Sequence, residues 1–157
     1  MGAGTWQIYA SAKQKIGAGT MALGAGVYKM SLHTTAASAA IAGLGTRVKW
    51  SSIGSEISVK TGYAAGGKNL VPATGQWVVG QSAKQYKFTY STVGLVFTAT
   101  LSALNNIRYA VIKQSIIGGV LTGAPVCFCS LSTSQFTVSS PNTLTILPAA
   151  TGVFTLA

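Results

Sequence analysis

Acidic side chains are almost missing from this sequence: among 157 residues the only side-chain carboxylate is that of Glu56. That scarcity excludes much chemistry at once. Paired carboxylates for glycoside hydrolysis and oxygen-rich sets for calcium or magnesium both need several acids. Histidine is as scarce, with His33 alone. A Ser-His nucleophile pair would have only Glu56 to orient its imidazole, and no Gly-x-Ser-x-Gly elbow occurs. A zinc site would have to join His33 to Cys127 and Cys129, without a fourth ligand and with cysteines too close for the usual spacing. No catalytic residue, metal or cofactor is assigned, and His33 is expected on a solvated strand face.

Cysteine is limited to Cys127 and Cys129. Their i, i+2 spacing on a strand puts both on one face, poorly oriented for a mutual disulfide. Two buried free thiols are expected, in keeping with synthesis in a reducing compartment. Long apolar runs are also lacking: the nearest, Ile107 to Val126, is broken by Arg108, Lys113, Gly118, Gly119 and Pro125, so no membrane span is expected. Met1 to Thr5 has no basic start leading into an apolar run, so no export leader is expected either.

What remains is apolar, hydroxylated and basic. Hydrophobic residues make up 48% and charged ones only 8% of the chain, with Lys and Arg numbering 11 and a formal net charge of +10; ordinary domains carry about 25% charged residues. With one carboxylate available, most of these cations have no partner within the chain. They are solvated, or they meet an anionic partner: nucleic acid, an acidic protein or an anionic membrane. Trp6, Trp50 and Trp77 with the tyrosines are the ingredients of a single-strand binding face. Tyr86, Phe88 and Tyr90 serve equally well as core, however, and the cations form no block, which makes nucleic acid a secondary reading.

Periodicity predicts strands. In Gln85 to Tyr90, Tyr86, Phe88 and Tyr90 share one face and Gln85, Lys87 and Thr89 the other. Gly94 to Thr100 and Ile107 to Gln114 are denser β-runs, separated by the turn-forming pair Asn105-Asn106, and are expected as neighbours at the centre of a sheet. Val27 to His33 alternates Tyr28, Met30 and Leu32 with Lys29, Ser31 and His33. Further strands are predicted at Arg47 to Ser51, Gln76 to Gly80, Val126 to Leu131, Gln135 to Ser139, Thr143 to Leu147 and Gly152 to Leu156.

Residues 1–5 read as a flexible arm and 6–157 as one domain, with a short helix from Trp6 capped by Thr5 and ended by Gly17, and one or two helical turns within Thr34 to Ala42. Gly62-Tyr-Ala-Ala-Gly-Gly-Lys68 lacks the Ser/Thr and the helix that a phosphate loop requires, so its glycines read as a turn at positive φ. The fold class is all-β: a jelly-roll-like β-sandwich with a short N-terminal helix.

Ser11-Ala-Lys13 with Ile16, Gly19-Thr-Met21, Gly62-Tyr63-x-x-Gly66-Gly67-x-x-Leu70, Arg108-Tyr-Ala-Val-Ile112 and Gly152-Val-Phe-Thr-Leu156 follow one another in an order that resembles a family of short structural proteins from tailed bacteriophage virions. The resemblance spans nearly the whole chain. It implies a non-enzymatic virion protein, first of all a head decoration, or cement, protein made in the host cytoplasm. Such a protein sits on the capsid surface as a homotrimer and locks neighbouring major capsid protein subunits together. A minor tail or fibre-attachment protein is the structural alternative, and a basic nucleic-acid-binding β-protein the alternative of another class. The near-absence of acids departs from the family pattern, so no acidic contact surface is carried over. On this reading Lys29, Arg47, Lys49, Lys60 and Lys68 lie near an acidic shell surface and steer docking, and the residue 1–5 arm orders on a neighbour.

Overall fold

A computed structural model of the chain describes residues 4–37, 53–71, 76–79, 85–116 and 123–156. Twelve strands and one helix are described: β1 (Gln7–Ile8), α1 (Ala10–Gly17), β2 (Val27–His33), β3 (Lys68–Asn69), β4 (Trp77–Val79), β5 (Tyr86–Phe88), β6 (Leu95–Thr98), β7 (Leu104–Ile107), β8 (Tyr109–Ile116), β9 (Ala124–Ser130), β10 (Phe136–Val138), β11 (Thr143–Ile146) and β12 (Phe154–Leu156). A 3-10 turn at Thr35–Ala37 follows β2. All pairings are antiparallel: a five-stranded sheet in the order β1-β9-β8-β2-β3, the pairs β10-β7 and β11-β6, and a three-stranded sheet β12-β5-β4. The molecule is therefore all-β with one short helix. A jelly-roll strand order is not among the described pairings.

β2 and β8 form the longest ladder, from Val27 opposite Ile116 to His33 opposite Tyr109. Tyr28, Met30 and Leu32 are fully buried on one face of β2, as the alternation predicts, and β9 brings Cys127 and Cys129 to that same face. Tyr28 meets Phe88 of the three-stranded sheet edge-on, with ring centroids 5.0 Å apart, and Phe88 stacks on Phe154 at 5.2 Å. These rings join the five-stranded and three-stranded sheets into one core. Both cysteines are buried free thiols; burial pushes Cys127 well up and Cys129 up to about 12, so both stay protonated and inert.

Several elements differ from the sequence expectation. Residues Trp6 to Ile8 do not begin the helix, because Gln7 and Ile8 pair with Phe128 and Cys127 at the sheet edge. The helix starts after Tyr9, which makes no side-chain cap. Backbone pairing with β9 outweighs the weak helical stripe there. The arm is tied at Gly4, whose N–H donates to Ser130 O at 3.1 Å; residues 1–3 lie outside the described residues, as does the expected strand at Arg47 to Ser51.

β6 and β8 are not neighbours. β6 pairs with β11 and β8 lies between β2 and β9. Asn105 and Asn106 do not make a free turn but sit inside β7, where four residues, Leu104 to Ile107, span three of β10. The extra residue is a bulge, and Asn106 takes it up at φ 61°.

Candidate functional site

The Lys60–Lys68 segment is built by its glycines. Lys60 and Tyr63 exchange backbone hydrogen bonds at 2.8 and 3.1 Å, closing a tight turn. Gly62, Gly66 and Gly67 all hold positive φ, at 97°, 82° and 79°, as expected for the turn. A Cβ on Gly62 would run into Thr98 O, and one on Gly67 into Met30 O. The turn is thus wedged between β6 on one side and β2 on the other, which fixes the backbone that carries Lys60 and Lys68.

On its inner side the turn holds the one acid. Glu56 Oε1 accepts from the Tyr63 hydroxyl at 2.6 Å and from Gly66 N–H at 2.7 Å. Tyr63 Oη in turn accepts the Leu32 N–H at 3.0 Å. Burial, and then the hydrogen bond to Glu56, hold the Tyr63 phenol well above its ordinary range, so it remains a donor.

Beside this lies the histidine. Segment 55–57 continues along β2, with Thr34 N–H bound to Ser55 O and Ile57 N–H to Leu32 O. That cover corrects the expectation of a solvated His33: the ring is 1% exposed. Its Nδ1 faces Gly54 O at 2.8 Å, and because a carbonyl only accepts, Nδ1 carries the proton. Nε2 is then the acceptor for the Ser31 hydroxyl at 3.0 Å. Burial lowers the imidazole pKa to about 4, against the pull of the Gly54 carbonyl and with help from the Lys113 charge.

A serine donating to a histidine whose other nitrogen is held has the order of a nucleophilic triad. Here the third member is a neutral carbonyl, the carboxylate of Glu56 is engaged elsewhere, and Ser31 is fully buried. This is a core hydrogen-bond chain, legible in sequence only as two polar residues, Ser31 and His33, on one strand face. The zinc combination is set apart by the sheet itself, since His33 and the two cysteines point to opposite faces. Among the described residues no three His, Cys, Asp or Glu side chains gather to hold a metal.

The lysines of interest divide. Lys29 is half-buried on β2, directly opposite Lys113 of β8. Burial lowers the Lys113 pKa, Glu56 opposes that, and Lys29 adds to it. Lys60 and Lys68 are exposed and line one open groove of about 540 Å³ together with Val59, Val96, Thr98 and Tyr63. Lys68 Nζ reaches across to Val96 O at 2.9 Å. Arg47 and Lys49 lie outside the described residues. Of the five predicted contact residues, then, Lys60 and Lys68 are brought together, and Lys29, opposite Asn69 of β3, points to the other face of the sheet from Lys68.

The groove also has an apolar side that periodicity did not reveal. Val59 and Val96 line it, Val59 being 63% exposed; Leu101, outside that lining, is 87% exposed with φ 61°. Thr100 N–H donates to Thr61 O at 3.3 Å, tying the loop that carries Leu101 to the Lys60–Tyr63 turn. A bulky residue in the left-handed region is uncommon.

Aromatic rings, by contrast, are used inside. Five of the six tyrosines are buried, Tyr86 being the exception, and Tyr86 stacks on Trp77 with centroids 5.8 Å apart. Phe88 and Tyr90 of the predicted aromatic face are core. No described helix is long and apolar enough to cross a membrane. Comparison with protein-family models, with curated proteins and with solved structures finds no match for this chain.

Proposed function

We propose that this chain is a virion structural protein, a capsid decoration (cement) protein that binds the outer surface of a phage head as a homotrimer and stabilises contacts between major capsid subunits. One observation carries the reading: the only acid is half-buried and engaged by Tyr63 and Gly66, while Lys60 and Lys68 face an open groove whose lining holds no acid. The lining of that groove thus offers cations and hydroxyls with no carboxylate side chain among them. Contact with an acidic protein surface supplies what the chain lacks, and complementary charge speeds encounter and fixes orientation. Lys60 and Lys68 act there, with Lys29, Arg47 and Lys49 adding to the field.

Holding follows from area. A clamp that buries apolar surface across a subunit boundary gains about 25 cal/mol per Å², less the cost of immobilising two bodies. The residue pattern that resembles phage structural proteins supports a shell as the acidic partner. A buried, neutral Ser31-His33 pair, inaccessible to substrate, supports a non-enzymatic role. The interior placement of five of six tyrosines leaves few rings for base stacking and favours a protein partner over nucleic acid.

Electron microscopy of purified particles, combined with the native mass of the isolated protein, tests the proposal. Density for the chain on the outer head surface and a trimeric mass are the expected results. Density confined to the tail would assign it to tail or fibre attachment instead, and a strict monomer found in no particle would refute the virion reading.

A further inference from the structure

We infer that the groove between the Gly62–Lys68 turn and β6 seats an extended, carboxylate-bearing segment of a partner protein. The inference rests on the reading of this chain as one held against an acidic protein, and it names the part of the surface that does the holding.

Charge complementarity selects the occupant. Lys60 and Lys68 both line the groove, and the turn between them is wedged against β2 and β6, so the backbone that carries them is fixed before any partner arrives. An ammonium has three donors; Val96 O accounts for one of those on Lys68. A second copy of the chain is a poor occupant, because it too carries a net charge of +10 and its single acid is bound internally. The carboxylates have to come from another protein.

The groove's apolar side sets the rest of the chemistry. Val59 is left in water, and Val96 lines the groove with it. Side chains alternate along an extended segment. A segment with acids at every second position can therefore place carboxylates toward Lys60 and Lys68 while its intervening apolar side chains cover Val59 and Val96. Nucleic acid is disfavoured at this site, since the nearby rings of Tyr63 and Phe97 are buried and present no face for a base.

The test uses the full chain and a synthetic peptide of alternating Glu and Val, with an alternating Gln and Val peptide and oligothymidylate as comparisons. Amide resonances followed through the titration are expected to shift at residues 59–68 and 95–98. The double substitution K60Q/K68Q is expected to weaken the Glu peptide about tenfold, the sum of two partly exposed ion pairs. K13Q/K87Q removes the same charge elsewhere and is expected to change affinity by less than about twofold. V59E, which puts a carboxylate into the groove from an exposed position, gives an independent variant should the lysine pair disturb folding, and is expected to weaken binding as well. Equal loss in K60Q/K68Q and K13Q/K87Q, equal binding of the Gln peptide, or tighter binding of oligothymidylate at the same resonances would each overturn the inference. A chain that binds the Glu peptide in this groove but is absent from purified particles would refute the decoration role and leave the groove standing. A chain found on heads that does not bind the peptide would refute the groove alone.

Discussion

One short stretch, residues 53–68, has two sides with opposite fates. Its inward side carries Glu56 and Tyr63 and covers His33, the residues that a chemist would pick first as reactive. All of them are engaged in hydrogen bonds, His33 and Tyr63 buried and Glu56 half-buried. Its outward side carries Lys60 and Lys68, two of the chain's eleven cations, and these line the open groove. The contrast teaches that scarcity of a residue type is no sign of reactivity: here the rare acid and the rare histidine build the platform, and the common lysines line the open groove.

The largest expected effect comes from breaking the joint between the two sides. Gly67→Ala forces a Cβ into Met30 O at a φ of 79°, and should cost about 3 kcal/mol or more in chemical denaturation. Gly17→Ala, at the end of α1 with nothing within 4 Å of the new Cβ, should be neutral or stabilise by up to about 1 kcal/mol.

Next in size is the pH dependence of the inner side. His33 has a pKa near 6.5 when unfolded and about 4 in the fold, so between those values the unfolded chain binds the extra proton. Stability is therefore full above about pH 6.5 and falls as pH drops toward 4, by roughly 3 kcal/mol at about 1.4 kcal/mol per pH unit. With a single histidine in the chain, H33N should remove that step from the stability-pH profile. A profile identical to the parent's would contradict the buried neutral imidazole.

Tyr63→Phe keeps the ring and deletes the hydroxyl that joins Leu32 N–H to Glu56. A loss of about 2 kcal/mol is expected, since a buried donor is left unsatisfied. The smallest effect on stability belongs to the outer side: K60Q/K68Q should shift it by less than about 0.5 kcal/mol while weakening partner attachment and lowering its dependence on salt.

Sequence made some of this legible, and physical reasons explain the rest. Alternation identified the core face of β2 and the glycines of the 62–67 turn announced positive φ, because both are local properties of the chain. Strand partners were not legible: β6 and β8 read as neighbours, yet period two reports which face a residue takes and not which strand lies beside it. Asn105-Asn106 was legible as a site of left-handed backbone, but the same conformation serves a turn or a bulge. His33 read as solvated because its cover, Gly54, comes from a segment some twenty residues away. The groove was hidden for the same reason, since β6 lies about thirty residues beyond the lysines it faces.

Attachment to phage heads assembled without this protein tests the central claim most directly. Co-sedimentation of the parent chain and of K60Q/K68Q with such heads, over a series of salt concentrations, should give saturable binding for the parent that weakens as salt rises, and markedly weaker binding with a shallower salt dependence for the variant. Binding that is the same for both chains at every salt concentration, or no binding by the parent at all, would contradict the account.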